Sequence, residues 1–197
     1  MEKVERGQYA PIVLFVYARP DHAQRCLAAL ANNDLAKESD LIIFCDGPKR
    51  ESVIAKNKEV VELITKEQTL GRFRSVTLHI SETNKGLAKS IISGVGEVMS
   101  RYGRCIVVED DVVTNPYFLT YMNNALDKFE KDERIWSIAG FTYPLKALEK
   151  YPHDIYLSYR SCSQAWGCWK DRWDTIDWEV KDFNELKKSF KKRRQFN

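Results

Sequence analysis

The sequence lacks any Cys-x-x-Cys pair, so neither a zinc ribbon nor a dithiol redox motif is expected. Its five cysteines, Cys26, Cys45, Cys105, Cys162 and Cys168, are scattered and odd in number. Two of them sit in apolar, strand-like runs, where a free thiol behaves as a small hydrophobe. Histidine is scarce: His22, His79 and His153 lie far apart, without metal-ligand spacing. No amino-terminal hydrophobic segment and no long apolar span occurs, so neither a signal peptide nor a transmembrane helix is expected. A reducing, cytoplasmic setting is the simplest fit, with peripheral membrane association left open. Internal repeats and low-complexity linkers are also missing. A net charge of +3 is too small to imply nucleic acid as a partner. Basic residues gather only near the end, at Lys187, Lys188, Lys191, Lys192, Arg193 and Arg194, where they read as the solvated face of a helix over residues 183–196. With 197 residues, 44% hydrophobic and 30% charged, the chain is long enough for one good core, and one domain is the default.

What the chain does have is an apolar run ending in three consecutive carboxylates. Cys105, Ile106, Val107 and Val108 lead into Glu109, Asp110 and Asp111. Thr114, Asn115 and Pro116 then read as a helix cap and first turn. Adjacent carboxylates repel one another, and three at the end of a buried strand are costly without a cation. Hard divalent ions take such oxygen ligands. A solvated acidic turn is the competing reading of the triplet by itself, and the surrounding chain has to decide between them.

Residues 11–17 and 41–45 are continuous apolar runs, as in strands buried on both faces. The second closes at Asp46-Gly47-Pro48, a strong turn signal. Residues 76–80 alternate and make a third strand, and residues 135–139 a short later one. Between them, apolar residues recur at helical spacing. Ala23, Cys26, Leu27 and Leu30 follow a cap at Asp21. Val53, Val60, Val61 and Ile64 share one side of a helix over residues 53–66. Leu87, Ile91, Val95 and Val98 line a helix over residues 87–100, and another helix covers residues 116–129. Residues 1–10 read as polar and peripheral. Alternating strand and helix predicts an α/β sandwich with a mainly parallel sheet. Ligands bind such sheets at the carboxyl ends of the strands, and Arg19, Asp46 and Glu109 to Asp111 all fall at such ends. Past Gly140 the chain turns aromatic, with Tyr143, Tyr151, Tyr156 and Tyr159 before Trp166, Trp169 and Trp173. This segment reads either as a cleft wall that stacks on a sugar or base face, or as a satellite aromatic core over the sheet edge.

The combination of residues 12–20, 44–47, 84–89, 107–112 and 136–140 resembles the GT-A nucleotide-sugar glycosyltransferases. Within them it is most similar to the N-acetylglucosaminyltransferase I-like branch, and more loosely to family 2 glycosyltransferases. The order is that branch's order: an acidic triplet closing a buried strand, a Pro-containing helix with Phe and Tyr, then a Trp-containing strand. The resemblance implies a Rossmann-like GT-A sheet, with residues 1–142 binding a nucleotide sugar. Residues 143–197 would be the acceptor-side segment of the same domain. It implies a nucleotide diphosphate donor, most simply a UDP-sugar, a glycan acceptor, and a divalent ion, Mn2+ or Mg2+. Position by position, it implies Asp111 as the direct metal ligand, and Asp110 on a metal-bound water or the ribose. Glu109 would face the ribose side, Asp46 the base and Arg19 the diphosphate. Lys89 would stand in the nucleotide pocket, with Trp166 and Gly167 in a loop near donor sugar and acceptor. An inverting displacement is implied, and its general base must be a carboxylate.

The chain departs from the family where that base is expected. Asp174, Asp177 and Glu179 lie in the right region, but no spacing singles one out. The expectation is a form shortened at its acceptor-binding end, with the base beyond Asn197. A non-catalytic nucleotide-sugar-binding module and a sugar nucleotidyltransferase are the alternatives. The nucleotidyltransferase wants a Gly-rich loop after the first strand, and Ala18-Arg19-Pro20-Asp21 has none. A receiver-like or phosphatase-like domain wants its key aspartates at the end of the first strand, where this chain has Ala-Arg-Pro.

Overall fold

A computed structural model of the chain describes residues 9–191 and 193. Six strands, β1 (Ile12–Val16), β2 (Asp40–Cys45), β3 (Ser75–Ile80), β4 (Arg104–Glu109), β5 (Ile138–Ala139) and β6 (Trp166–Trp169), form one sheet ordered β3-β2-β1-β4-β6-β5. The first four strands are parallel, while β6 runs antiparallel to both β4 and β5. The α-helices are α1 (Pro20–Ala31), α2 (Ile54–Glu67), α3 (Leu87–Tyr102), α4 (Phe118–Phe129), α5 (Lys170–Trp173) and α6 (Phe183–Lys188), and short 3-10 turns lie at Ala36–Glu38, Glu51–Val53 and Lys146–Leu148. The result is a mixed α/β fold with a mostly parallel sheet flanked by helices, as the alternation predicts.

Burial explains the register. Every residue of β1 is buried, because helices cover both faces of a central parallel strand. Residues 105–108 of β4 are likewise closed off from solvent. Edge strand β3 alternates instead, with Val76 and Leu78 packed on the core. From β1 the chain steps outward through β2 to β3, then returns by α3 to place β4 on the other side of β1. The strand order therefore reverses between β1 and β4, which opens a crevice at their carboxyl ends.

Several local expectations are corrected. Asp21 does not cap α1; Arg19 occupies that position and Pro20 fixes the first turn, leaving Asp21 within it. The helix expected over 116–129 starts at Phe118, because Asn115 and Pro116 are spent on a turn in which the Asn115 side chain accepts from the Tyr117 amide at 2.9 Å. The strand expected over 135–139 shrinks to Ile138–Ala139, with Trp136 outside it and exposed. Leu87 and Val53 do not join the core: Leu87 is exposed and Val53 half-buried. Ala10 is buried rather than peripheral, and its amide donates to Asn123 Oδ1 at 2.8 Å. Trp166 and Gly167 belong to a strand, not a loop. Of the helix expected over 183–196, α6 covers Phe183–Lys188. Lys192, Arg194 and Phe196 lie outside the described residues.

Candidate nucleotide and metal site at the carboxyl edge of the sheet

Glu109 is the last residue of β4, and the chain turns at once: the Val112 amide donates to Glu109 O at 3.1 Å. Asp110 and Asp111 are the corner residues of that turn, and it sends their side chains apart. Asp110 keeps 3% of its side chain exposed, whereas Asp111 keeps 51%. Identical side chains in adjacent positions thus meet different surroundings.

Arg19, just past β1, faces both. Its guanidinium forks onto Asp110, with Nη2 on Oδ1 and Nε on Oδ2 at 3.3 Å, while Nη1 reaches Asp111 Oδ2 at 3.3 Å. Burial works against the Arg19 charge, but Asp110 and Asp111 outweigh it and hold its pKa above the usual value. Burial raises the pKa of Asp110, with Arg19 opposing. Glu109 is raised first by burial, then by the charges of Asp111 and Asp110. Three carboxylates crowd one arginine here, with His22 as a further, weaker positive influence on Asp110. The Cys26 thiol, pushed up to about 12 mainly by burial, donates to Glu109 O at 3.6 Å and is no nucleophile.

Asp46, just past β2, acts as a latch. Its Oδ1 accepts from the amides of Gly47 at 3.1 Å and Lys85 at 2.8 Å, and its Oδ2 from Gly86 at 2.9 Å. Asn84 adds a bond to Gly47 O at 2.8 Å. These contacts dock the loop before α3 onto the end of β2. Gly86 sits at φ 81° and ψ 151°, a conformation only glycine adopts cheaply. A carboxylate offers about four lone-pair sites; three are filled, which leaves one for a ligand. Lys89 projects from the first turn of α3 and is exposed.

Three asparagines and a tyrosine that sequence reasoning passed over tie strand ends, helices and loops to one another. Asn57 Nδ2 donates to Tyr17 O at 2.8 Å and to Asp46 O at 2.9 Å, clamping the ends of β1 and β2. Asn33 donates to Thr114 Oγ1 at 3.1 Å and accepts from the Leu119 amide at 2.9 Å, tying α1 to the loop beyond the triplet. Asn123 holds Ala10, and Tyr17 OH accepts from the Lys49 amide at 2.8 Å. A signal for Asn57 existed: it shares the apolar face of α2 with Val60 and Ile64, where a polar residue needs a partner.

Beyond Asp111 lies a cleft of about 440 Å3 that runs from Val112 to Asn115, past Phe118, to Gly140, Phe141, Gln164 and Ala165. Trp166 and Gly167 stand behind its wall. Trp166 is half-buried and stacks on Trp173 at 5.8 Å between ring centroids. Gly167 is packed beneath α4, where an added Cβ would lie 3.2 Å from Met122 and 3.3 Å from Leu126. Tyr143, Tyr156 and Tyr159 are exposed, whereas Trp169 and Trp173 are buried, so the aromatic segment divides between surface and satellite core. Asp174 lies at the opposite edge, near Gly103 at the amino end of β4 and paired with Lys170. Asp177 is occupied by the amides of Glu179 and Lys181, and Glu179 pairs with Lys181 in solvent.

The donor set suits a divalent ion delivered with a ligand better than a resident one. Among the described residues no three His, Cys, Asp or Glu side chains form a ready cage. An ion that arrives with a diphosphate needs only one or two protein carboxylates, the remaining oxygens coming from phosphate and water. Asp111, half-exposed at the crevice mouth, offers such an oxygen.

No family model matches the sequence, and no curated protein matches it. Solved structures align with the chain at low identity. The mannosyltransferase PcManGT from Pyrobaculum calidifontis, in complex with GDP-Man and Mn2+, aligns at 11% identity and a TM-score of 0.45, over 68% of this chain and 38% of that one. A protein assigned as a nucleotide-diphospho-sugar transferase from Desulfovibrio desulfuricans G20 aligns at 14% identity and 0.41, over 95% and 76%. The bifunctional glycosyltransferase WbbM, in its apo form, aligns at 10% and 0.31, over 58% and 20%. The chain thus spans well under half the length of the first of these.

Proposed function

We propose that the chain is a nucleotide-sugar-dependent glycosyltransferase domain that moves a sugar from a UDP-linked donor to a glycan hydroxyl with inversion. The observation that carries this reading is the meeting of Arg19, Asp46 and the Glu109–Asp111 triplet at the carboxyl edge, where the strand order reverses. Asp111 would hold Mn2+ or Mg2+, and that ion would supply Lewis-acid neutralisation of the departing diphosphate. Arg19 presents a planar fork that matches phosphate oxygens. Asp46 has one acceptor site left for the imide N–H of uracil. Glu109 faces the ribose side, Asp110 holds a metal-bound water or the ribose, and Lys89 approaches the nucleotide from α3. The cleft between Asp111 and Gln164 receives the sugar and the acceptor, with Trp166 and Gly167 as the strand that carries Gln164 and Ala165 into its wall.

One observation favours a second reading. Asp111 is the single carboxylate among the cleft's lining residues, and Asp174 points away at the other edge. A domain of this form binds nucleotide sugar while the proton-accepting carboxylate comes from elsewhere. Titration calorimetry of UDP and GDP, each with and without Mn2+, tests the shared site; UDP should bind more tightly with metal, and metal-independent or absent binding would overturn both readings. Donor hydrolysis and transfer to a glycan acceptor then separate an enzyme from a binding module. Asp111→Ala should abolish the metal dependence; a variant that keeps it removes Asp111 from the ligand set.

A further inference from the structure

Arg19 stands on the carboxylate oxygens that a divalent ion would need. Its fork engages both oxygens of Asp110, and its remaining arm reaches Asp111. Asp110 is almost fully buried, and removing the partner of a buried charge is strongly destabilising, so it keeps a positive partner. Arg19 itself is 46% exposed and free on its outer side to swing toward solvent. Two other arginines clasp buried acids in the same way, Arg72 on Glu67 and Arg74 on Asp40. Arg19 bridges two carboxylates at once, one buried and one half-exposed.

We infer that Arg19 is an exchangeable internal cation, holding Asp110 and Asp111 in the free protein and yielding them to the divalent ion as it transfers to the incoming diphosphate. This rests on the nucleotide-sugar reading above. The exchange is one for one. Arg19 cannot leave Asp110 until another cation arrives, and the cation cannot reach those oxygens until Arg19 has an alternative anion. The diphosphate supplies that anion, with geometry the guanidinium fork matches. Metal alone therefore binds the free protein weakly, and metal and nucleotide strengthen each other by one shared factor, as linkage requires. A bare ion is also kept from binding unproductively, so binding is ordered: diphosphate and metal enter together.

Calorimetry on wild-type, Arg19→Gln and Arg19→Lys protein tests this, with Mn2+ and UDP titrated singly and then each in the presence of the other. Arg19→Gln should raise Mn2+ affinity for the nucleotide-free protein about tenfold or more, the weight of a charge-assisted hydrogen bond no longer competing. Mn2+ affinity in the presence of UDP should stay near wild type, so the coupling factor falls by as much as the free affinity rises. Arg19→Lys, which keeps the charge but not the fork, should fall between. If Arg19→Gln raises Mn2+ affinity equally with and without UDP, the arginine acts by distant repulsion and the exchange is wrong. Unchanged Mn2+ affinity in the free variant also overturns it. Both outcomes leave the nucleotide-sugar reading standing, whereas wild-type protein that binds neither UDP nor Mn2+ removes that reading first. Wild-type-like circular dichroism and a cooperative melt, lowered in Arg19→Gln by the loss of the Asp110 partner, confirm that each variant is folded.

Discussion

Asp46→Asn isolates the latch from the charge that the base would meet. The carboxylate accepts three backbone amides, two of which, from Lys85 and Gly86, cross from the neighbouring loop at 2.8 and 2.9 Å. Asparagine keeps one acceptor oxygen and turns the other position into an NH2 donor, so at least one amide faces a donor instead of an acceptor. Hydrogen bonds to a charged group contribute about 1.5–3 kcal/mol each when well shielded. This site is only half-buried, so the expected total loss is about 2–3 kcal/mol, at the lower end for two bonds. For a domain of this size that lowers Tm by about 4–12 °C. Differential scanning calorimetry reads the shift directly. UDP titration should show a weakened nucleotide too, because the loop before α3 and Lys89 lose their anchor. Gly47→Ala supplies the comparison. Its Cβ would meet the Glu82 and Thr83 backbone at 2.7 Å, so it forces the same loop away while leaving the carboxylate intact. If both variants lose nucleotide affinity equally, Asp46 works only as a latch; a larger loss in Asp46→Asn assigns it a contact with the base. An Asp46→Asn protein that melts with wild type would refute the latch itself.

The other predictions concern the walls of the site and its charge. Asn57→Ala should cost about 1–3 kcal/mol in chemical denaturation, because Tyr17 O and Asp46 O both lose their donor. Gly140→Ala should cost about 1–3 kcal/mol by overpacking, since its Cβ would lie 2.5 Å from Phe118 and 2.9 Å from Ala165 O; acceptor binding should weaken while UDP binding holds, which parallel titrations would show. Glu109→Gln should stabilise the metal-free protein at neutral pH. The folded-state pKa of Glu109 is raised by burial and by Asp111 and Asp110, so the native state binds the extra proton first and its charged form is penalised. The penalty is fully present above the raised value and disappears as pH falls to the ordinary carboxylate range. Denaturation curves from pH 8 down to 4 should therefore converge, and a constant difference would contradict the assignment.

How far the sequence reveals this molecule depends on which interactions are local. The strands β1, β2 and β4 are legible because both-face burial demands unbroken apolar runs, and their carboxyl ends come with them. The acidic triplet, Arg19 and Asp46 are recognisable as residues of one edge for that reason. What Asp110 and Asp111 each do is not legible, since a single turn closed by the Val112 amide sends one inward and the other out. Nor is the partner of Arg19, chosen by the pairing of β1 with β4 across the switch point. Strand β6 escapes notice because Trp166–Trp169 is four residues long and borrows its ladder from β4. The start of α4 shifts because Asn115 satisfies the Tyr117 amide in a turn of its own. Asn33 and Asn57 look like ordinary helix residues until the loops they hold are in place.

The two edges of the sheet handle charge differently. At the amino edge, Arg74 answers Asp40 at the start of β2, and Arg104 at the start of β4 pairs with Asp127. Arg72 answers Glu67 in the connection leading into β3. Each acid there is met by its own base, a neutral arrangement that serves the fold. At the carboxyl edge between β1 and β4, Glu109, Asp110 and Asp111 share Arg19, and burial, with the neighbouring carboxylates adding to it, raises the pKa of Glu109 and Asp110. Buried or half-buried like charges cost stability that a hydrophobic or amide side chain would not. The cost falls where strand order reverses and a cleft opens beside Asp111. A positively charged ligand component would relieve it, and an anionic component would relieve the arginine displaced in the proposed exchange. A divalent ion paired with a diphosphate supplies both signs in one event, which neither a cationic nor an anionic ligand does by itself.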